Sequence, residues 1–367
     1  MARRVPLARR NLLADWRRLV AGVLGVGVAL MLVLLLDGLR QGIESSATAY
    51  VDHVGAELFV TQPGVANFLG ETSVLPRSTV DTVKATPGVE WAAPVRGQYV
   101  VFELHGKKIA AYAVGSVPGE AGGPWSLASG RTAKRDDEIV VDNALAERHN
   151  LGVGDHLDVA GARFRIVGTS NGTSAAMTGF VFVTHAATDK LLRSPDTTSY
   201  VLVGTRNAPA VKQRLEATGL EVFDRQTLGG NDRRLFTGIF SAPLDLMVAV
   251  AFAAGTLVVA LTVYTSVTER RREYGIVKAL GASERSLIGL VIRQTLLLGL
   301  AGLAAGALLY LGAEWLLARI RPQFPVALTT TSVLRALVVA TVMALLAAII
   351  PARRVAAADP ASVYRES

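Results

Sequence analysis

The chain has 367 residues, 51% of them hydrophobic and 19% charged, with a formal net charge of +8 and no cysteine. A mean hydropathy of +0.38 is too positive for an ordinary soluble protein of this length and points to a membrane-embedded one. The missing cysteines exclude disulfides, iron–sulfur clusters and thiol chemistry. The basic residues gather beside apolar stretches, which is a topology signal, so no nucleic acid partner is expected.

Six arginines open the chain: Arg3, Arg4, Arg9, Arg10, Arg17 and Arg18. They precede an uncharged run from Leu19 to Leu36, close to the roughly 20 residues needed to cross a bilayer core. That run is too long for a signal peptide, and the one plausible A-x-A site, Ala47-Thr48-Ala49, lies too far downstream, so an uncleaved anchor is expected. Residues 1–18 are then a cytoplasmic segment and 19–39 the first transmembrane helix.

Residues 40–241 are polar, rich in turn signals and large enough for a core of their own. Strands are predicted at Glu57–Thr61, Tyr99–Leu104, Lys108–Ala113, Glu138–Val141, Arg163–Val167, Phe180–Val183 and Ser199–Val203. Helices are predicted at Thr79–Thr86 with Ser78 as cap, Asn143–His149, His185–Leu192 and Pro209–Glu216. The flanks Asp37–Tyr50 and Asn231–Ser241 are expected to continue the neighbouring spans outward as a stalk.

Three further apolar runs lie toward the C-terminus: Leu246–Val267, Thr295–Ala313 and the shorter Ala336–Ile350, whose flanking Arg335 and Arg353 can snorkel. They place transmembrane helices at 242–267, 287–313 and 332–351. A basic segment, 268–286, lies between the second and third spans with Arg270, Arg271, Arg272, Lys278 and Arg285; a short outer loop (314–331) and a tail (352–367) complete the chain. The arginine distribution puts both termini and 268–286 in the cytoplasm and 40–241 outside, and four crossings make these assignments agree. The fold class is an α-helical membrane protein with four transmembrane helices plus a mixed α/β extracytoplasmic domain.

Several patterns carry little chemistry. A phosphate loop requires G-x-x-x-x-G-K-[ST], but the one Gly-Lys pair, Gly106-Lys107, has Val101 and Lys108 where Gly and Ser or Thr are needed. Gly168-Thr-Ser170-Asn-Gly172 matches a nucleophile elbow, yet the stretch from Thr173 to Gly179 starts a helix poorly and His185 is the one later histidine. The histidines His53, His105, His149, His156 and His185 show no metal-ligand spacing, so no metal, cofactor or catalytic residue is assigned. Small residues recur every four positions at Ala21/Gly25/Ala29, Ala251/Gly255 and Gly302/Gly306, the pattern of closely packed helices, within one chain or across a dimer. Asp37 and Asp245 at the outer ends of the first two spans are expected to stay hydrated, and Arg293 to snorkel to the cytoplasmic face.

The most informative segment is Glu269-Arg270-Arg271-Arg272-Glu273-Tyr274-Gly275-Ile276-Val277-Lys278-Ala279-Leu280-Gly281-Ala282-Ser283. Ile276, Val277 and Leu280 with Tyr274 give a short helix an apolar side, and Gly281 suits its stop. On physics alone, such a helix could lie on lipid headgroups. The segment resembles the cytoplasmic signature of the FtsX-like, macrolide-exporter-type (MacB-like) ABC transporter permease family. So do the amphipathic stretch Leu287–Leu296 and the ending Pro351-Ala-Arg-Arg354 with Asp359-Pro360. In the outer region Asp137–Asp142, Leu151–Asp155 and Gly161–Gly168 resemble that family's periplasmic core domain.

The resemblance implies a non-catalytic bacterial inner-membrane subunit that works as a homo- or heterodimer in contact with membrane lipid. ATP and Mg would bind a separate ABC ATPase, and an extracytoplasmic adaptor is a further partner it allows. Residues 269–281 would couple to that ATPase, whose hydrolysis would move the outer domain to export or extract a hydrophobic or amphipathic substrate. The alternative is a signal-transducing permease that regulates an extracytoplasmic enzyme.

Overall fold

The computed structural model describes residues 16–104, 106–175, 178–321, 324 and 326–356. Arg3, Arg4, Arg9, Arg10, His105, Asp359-Pro360 and Arg365 lie outside the described residues, as do the side chains of Arg17, Arg18 and Arg271. In chain order the elements are α1 (Trp16–Ala47), α2 (Ala49–His53), β1 (Leu58–Thr61), β2 (Leu75–Pro76), α3 (Thr79–Lys84), β3 (Trp91–Leu104), β4 (Lys107–Ser116), β5 (Leu127–Gly130), β6 (Glu138–Asp142), α4 (Asn143–Arg148), β7 (His156–Val159), β8 (Ala162–Ser170), β9 (Ser174–Ala175), β10 (Thr178–Thr184), α5 (His185–Leu192), β11 (Thr197–Thr198), β12 (Tyr200–Gly204), α6 (Ala208–Glu216) and β13 (Glu221–Asp224). The last four are α7 (Arg225–Glu269), α8 (Arg271–Ala279), α9 (Glu284–Ile320) and α10 (Thr330–Ala356). The described residues divide into two units: 16–40, 241–317 and 326–356 in one, and 41–240 with the short segment from Ala318 in the other.

Four helices, α1, α7, α9 and α10, are long and apolar enough to cross a membrane. They meet through small residues. Gly302 of α9 faces Val26 of α1, and a Cβ on Gly306 would come 2.8 Å from the Gly27 carbonyl oxygen. Gly255 of α7 packs against Ala29 of α1 and Met343 of α10, and Gly25 faces Val258. All three small-residue stripes are therefore used inside one chain, where close backbone approach replaces the weak hydrophobic drive between helices in lipid. Gln294 of α9 adds a bond to Ser266 of α7 (Nε2 to Oγ, 3.1 Å).

Of the two acids expected to stay hydrated, Asp245 remains 65% exposed while Asp37 is only 16% exposed. Asp37 of α1 pairs with Arg335 of α10 at 2.9 Å, and Asp245 of α7 with Arg40 of α1 at 3.4 Å. Because α10 starts at Thr330, Arg335 stands more than one turn inside the helix, beside Asp37.

The α/β unit is built on a sheet of order β13-β1-β12-β3-β4-β10-β6-β8-β5, with β7 on β8 and β9 on β10. The β4–β10 and β6–β8 pairs are parallel and the others antiparallel. Strands β6 and β12 are buried end to end, as strands covered on both faces are. Val80 and Val83 of α3 and Val211 and Leu215 of α6 belong to the core over β1 and β12. A second core joins Leu145 of α4 and Ala187 of α5 to Ile139, Phe164, Ile166 and Val181. Each fully buried aliphatic contributes about 1.5–3 kcal/mol.

Helix starts obey local chemistry. Thr184 accepts from Ala187 N at 3.1 Å to cap α5, and Asp142 from Leu145 N at 3.3 Å to cap α4. Ser78 does not cap α3: its backbone is already in the helical region, so its hydroxyl accepts no cap bond, and the helix stops at Lys84 rather than Thr86.

Candidate coupling site

Helix α7 ends at Glu269, Arg270 breaks the helical path (φ −102°, ψ 18°), and α8 begins. Its C-terminus is closed by two bonds, Gly281 N to Lys278 O (3.0 Å) and Ala282 N to Val277 O (3.2 Å). That pair needs a left-handed residue after the last turn, and Gly281 supplies it at φ +92°. Ser283 Oγ then accepts from Ser286 N at 3.3 Å at the start of α9.

The apolar side predicted for α8 splits in two. Tyr274 is buried (5% exposed) in the core that also holds Val267, Leu287, Val291, Ala352 and Val355, with Val277 and Ala282 packed against it. Ile276 is 48% and Leu280 83% exposed. At 3.6 residues per turn, Arg272, Ile276 and Leu280 share one stripe, while Tyr274, Val277 and Lys278 occupy another. The correction to the expected apolar face is therefore that Ile276 and Leu280 point away from the core, flanked by exposed Arg272 and Glu273.

Two ion pairs tie the ends of α8 to its neighbours in sequence. Lys278 Nζ lies 3.0 Å from Glu284 Oε1, and Arg270 3.8 Å from Glu273. Burial pushes the Tyr274 hydroxyl above its usual range, chiefly by desolvation. Arg354 of α10 sits 5.0 Å above the Tyr264 ring of α7, a cation–π contact that the sequence did not signal. Gly275 is buried beside Tyr274, and Glu269 and Gly281 are exposed at the two boundaries. Together these place the segment's inner residues on α7, α9 and α10 at once, rather than on α7 alone.

The elbow-like Ser170 ends β8 and leads into a bend and β9, not into a helix. It is buried and bonds Thr173 Oγ1 at 2.6 Å, which donates to Asp142 at 2.8 Å. Among the described residues there is no cluster of three His, Cys, Asp or Glu that could hold a metal.

Residues 20–218 match the MacB-like periplasmic core domain and residues 246–360 the FtsX-like permease C-terminal domain. An uncharacterized ABC transporter permease of Mycobacterium tuberculosis is 31% identical over 95% of each chain. The pyoverdine export ATP-binding/permease protein of Pseudomonas syringae pv. tomato is 24% identical over 91% of this chain and 55% of that one. Among solved structures, the periplasmic region of MacB from Actinobacillus actinomycetemcomitans aligns with 12% identity over 49% of this chain and 92% of that one, at a TM-score of 0.38. The spans and the periplasmic-type domain fit an inner-membrane protein. With both of its domains accounted for in order, the chain belongs to the MacB/FtsX-like family of ABC transporter permeases.

Proposed function

We propose that the chain is the permease subunit of an export or extraction system, driven by a separate ATPase that docks on the outward stripe of α8. The observation that carries this reading is the division of α8: Tyr274 is held in the helix core, while Ile276 and Leu280 stand exposed between Arg272 and Glu273. A short helix of that kind offers a partner apolar anchors with charges around them. The sequence carries no phosphate loop, and a relative named for pyoverdine export unites ATP-binding and permease parts in one chain. Both support an ATPase working on this subunit.

The same reading places α8 and both termini in the cytoplasm and residues 40–241 outside, from the arginines flanking the spans. A single cysteine at exposed Ser283 tests it, since the chain has no other. An impermeant thiol reagent should leave S283C unmodified in intact, outer-permeabilised cells and modify it after lysis; modification of intact cells would reverse the topology.

For docking, Ile276→Glu with Leu280→Glu should weaken ATPase binding by roughly tenfold or more, because both anchors would carry charge into the interface. Unchanged binding and unchanged substrate-stimulated ATP hydrolysis would remove α8 from the interface.

A further inference from the structure

One buried acid has no role in the helix core or in α8. Asp232, in the polar first part of α7, is 0% exposed. Its Oδ1 accepts from the backbone N–H of Phe68 and of Leu69, both at 3.0 Å, and its Oδ2 lies 3.2 Å from the Phe68 nitrogen. The adjacent Asn231 donates from Nδ2 to Ala66 O at 2.8 Å. The side chain of Leu235, one turn on, occupies the space over Gly70. Three successive contacts from one helix therefore hold residues 66–70 of the loop between β1 and β2.

The opposite side of that loop is held by the sheet. Tyr112 of β4 donates to Phe68 O at 2.7 Å. The Tyr200 hydroxyl of β12 lies 3.0–3.2 Å from the carbonyls of Asn67, Phe68 and Glu71, among which its one proton is shared. Tyr50 of α2 stacks on the Phe68 ring, centroids 4.4 Å apart and planes 9° from parallel. Gly97 makes room for this arrangement, since a Cβ there would meet the Tyr112 hydroxyl at 2.5 Å. The N–H of Phe68 thus belongs to α7 and its C=O to the sheet.

Apolar contact alone would let a helix turn about its axis or slip along it. A carboxylate bonded to two successive backbone N–H groups fixes both rotation and register, and it is costly to bury for any lesser purpose. We infer that Asp232 is a positioning residue that locks the first part of α7 to the Phe68 peptide, so that movement of α7 is delivered to the sheet through Tyr112 and Tyr200. This deepens the coupling reading above and rests on it for its purpose, not for its geometry.

The test uses the full chain in lipid nanodiscs with no ATPase present, so a failure of ATPase docking leaves its outcome untouched. Spin labels at Gly238→Cys on α7 and Arg163→Cys on β8 report the helix-to-sheet distance distribution, and hydrogen exchange reports the backbone. With Asp232→Ala, the Phe68 and Leu69 amides should exchange roughly ten- to a hundredfold faster. The distance distribution should broaden, while β6 and β12 keep their protection. Asp232→Asn, which keeps one carbonyl acceptor, should fall between, and it decides by the same readouts if the alanine variant does not fold. A distribution as narrow as the parent's would overturn the inference. So would loss of protection in β6 and β12 in parallel with Phe68, because Asp232 would then serve general stability alone.

Discussion

The two units of this chain use apolar residues in opposite ways. In the α/β unit, large side chains are fully buried: Tyr50, Phe59, Phe68, Tyr112, Phe180, Phe182 and Tyr200 are among them. Phe180 alone meets Tyr50, Tyr112, Trp125 and Phe182 ring to ring. Water drives that burial, and area removed from water sets its strength. In the helix unit many large apolar residues, such as Leu246, Val250, Leu257 and Leu308, face outward, and the closest approaches between helices come at glycines such as Gly255, Gly302 and Gly306. Lipid is as apolar as leucine, so closeness of backbones has to supply what the hydrophobic effect does not. The difference teaches that one kind of substitution should hurt one unit and spare the other.

The largest effect is expected from truncation in the α/β unit. A fragment of residues 41–240 should fold alone and unfold cooperatively, and Phe180→Ala should destabilise it by about 3–5 kcal/mol in denaturant titration. A non-cooperative parent transition would break the comparison at its root. The reverse change belongs to the helix unit. Gly306→Leu drives a side chain into the Gly27 backbone and should cost about 1–3 kcal/mol, read as reduced thermal stability of the full chain in detergent. The same enlargement at exposed Gly312 of α9, where a Cβ meets no atom within 4 Å, serves as control.

A smaller effect sharpens the electrostatic side. Hydrogen bonding to the Arg131 guanidinium, aided by the Lys134 and Arg135 backbone N–H groups and opposed by burial, lowers Glu138 from its ordinary value of 4.5 to about 2. A lowered carboxylate contributes stability that is present above 4.5 and is lost as the pH falls toward 2. Glu138→Gln should therefore flatten the acid limb of the stability curve of residues 41–240 across that window. An unchanged limb would assign acid unfolding to other carboxylates. The smallest effect is expected for the Asp37–Arg335 pair. Arg335 is more than half exposed there, so Arg335→Ala should cost about 0.5–1 kcal/mol, and less in high salt.

Local chemistry accounts for the parts of this fold that are legible in the sequence. The spans are legible because a long uncharged run bounded by arginine suits a bilayer crossing and little else. Strands β6, β8, β10 and β12 and helix α5 are legible from runs of Val, Ile and Phe and from Thr184 ahead of His185. The first half of β3 is not: Pro94 and Gly97 read as breaks. Pro94 is tolerated because β3 there is paired with β12 alone, β4 joining only from Val95 onward. β7 and β13 escape notice because each is four residues long and holds only two apolar residues.

At the candidate site, the limits of α8 and the Gly281 stop are legible, because Gly after a helical run has a local cause. Which apolar residues of α8 are buried is not legible. That depends on α9 and α10, whose residues Leu287 and Val355 share a core with Tyr274. The clasp at Asp232 is invisible for the same reason, since its partner Phe68 stands 164 positions away.

The central claim is that α8 presents two faces, one held in the helix core and one offered to an ATPase. The most direct measurement is the affinity of the purified full chain for its cognate ATPase, compared among the parent, Ile276→Glu/Leu280→Glu and Tyr274→Ala, with thermal stability followed in parallel. The account predicts that the glutamate pair weakens binding by roughly tenfold or more with unchanged stability, while Tyr274→Ala lowers stability first, through the core it leaves. Parent-like ATPase affinity in the glutamate variant would contradict it.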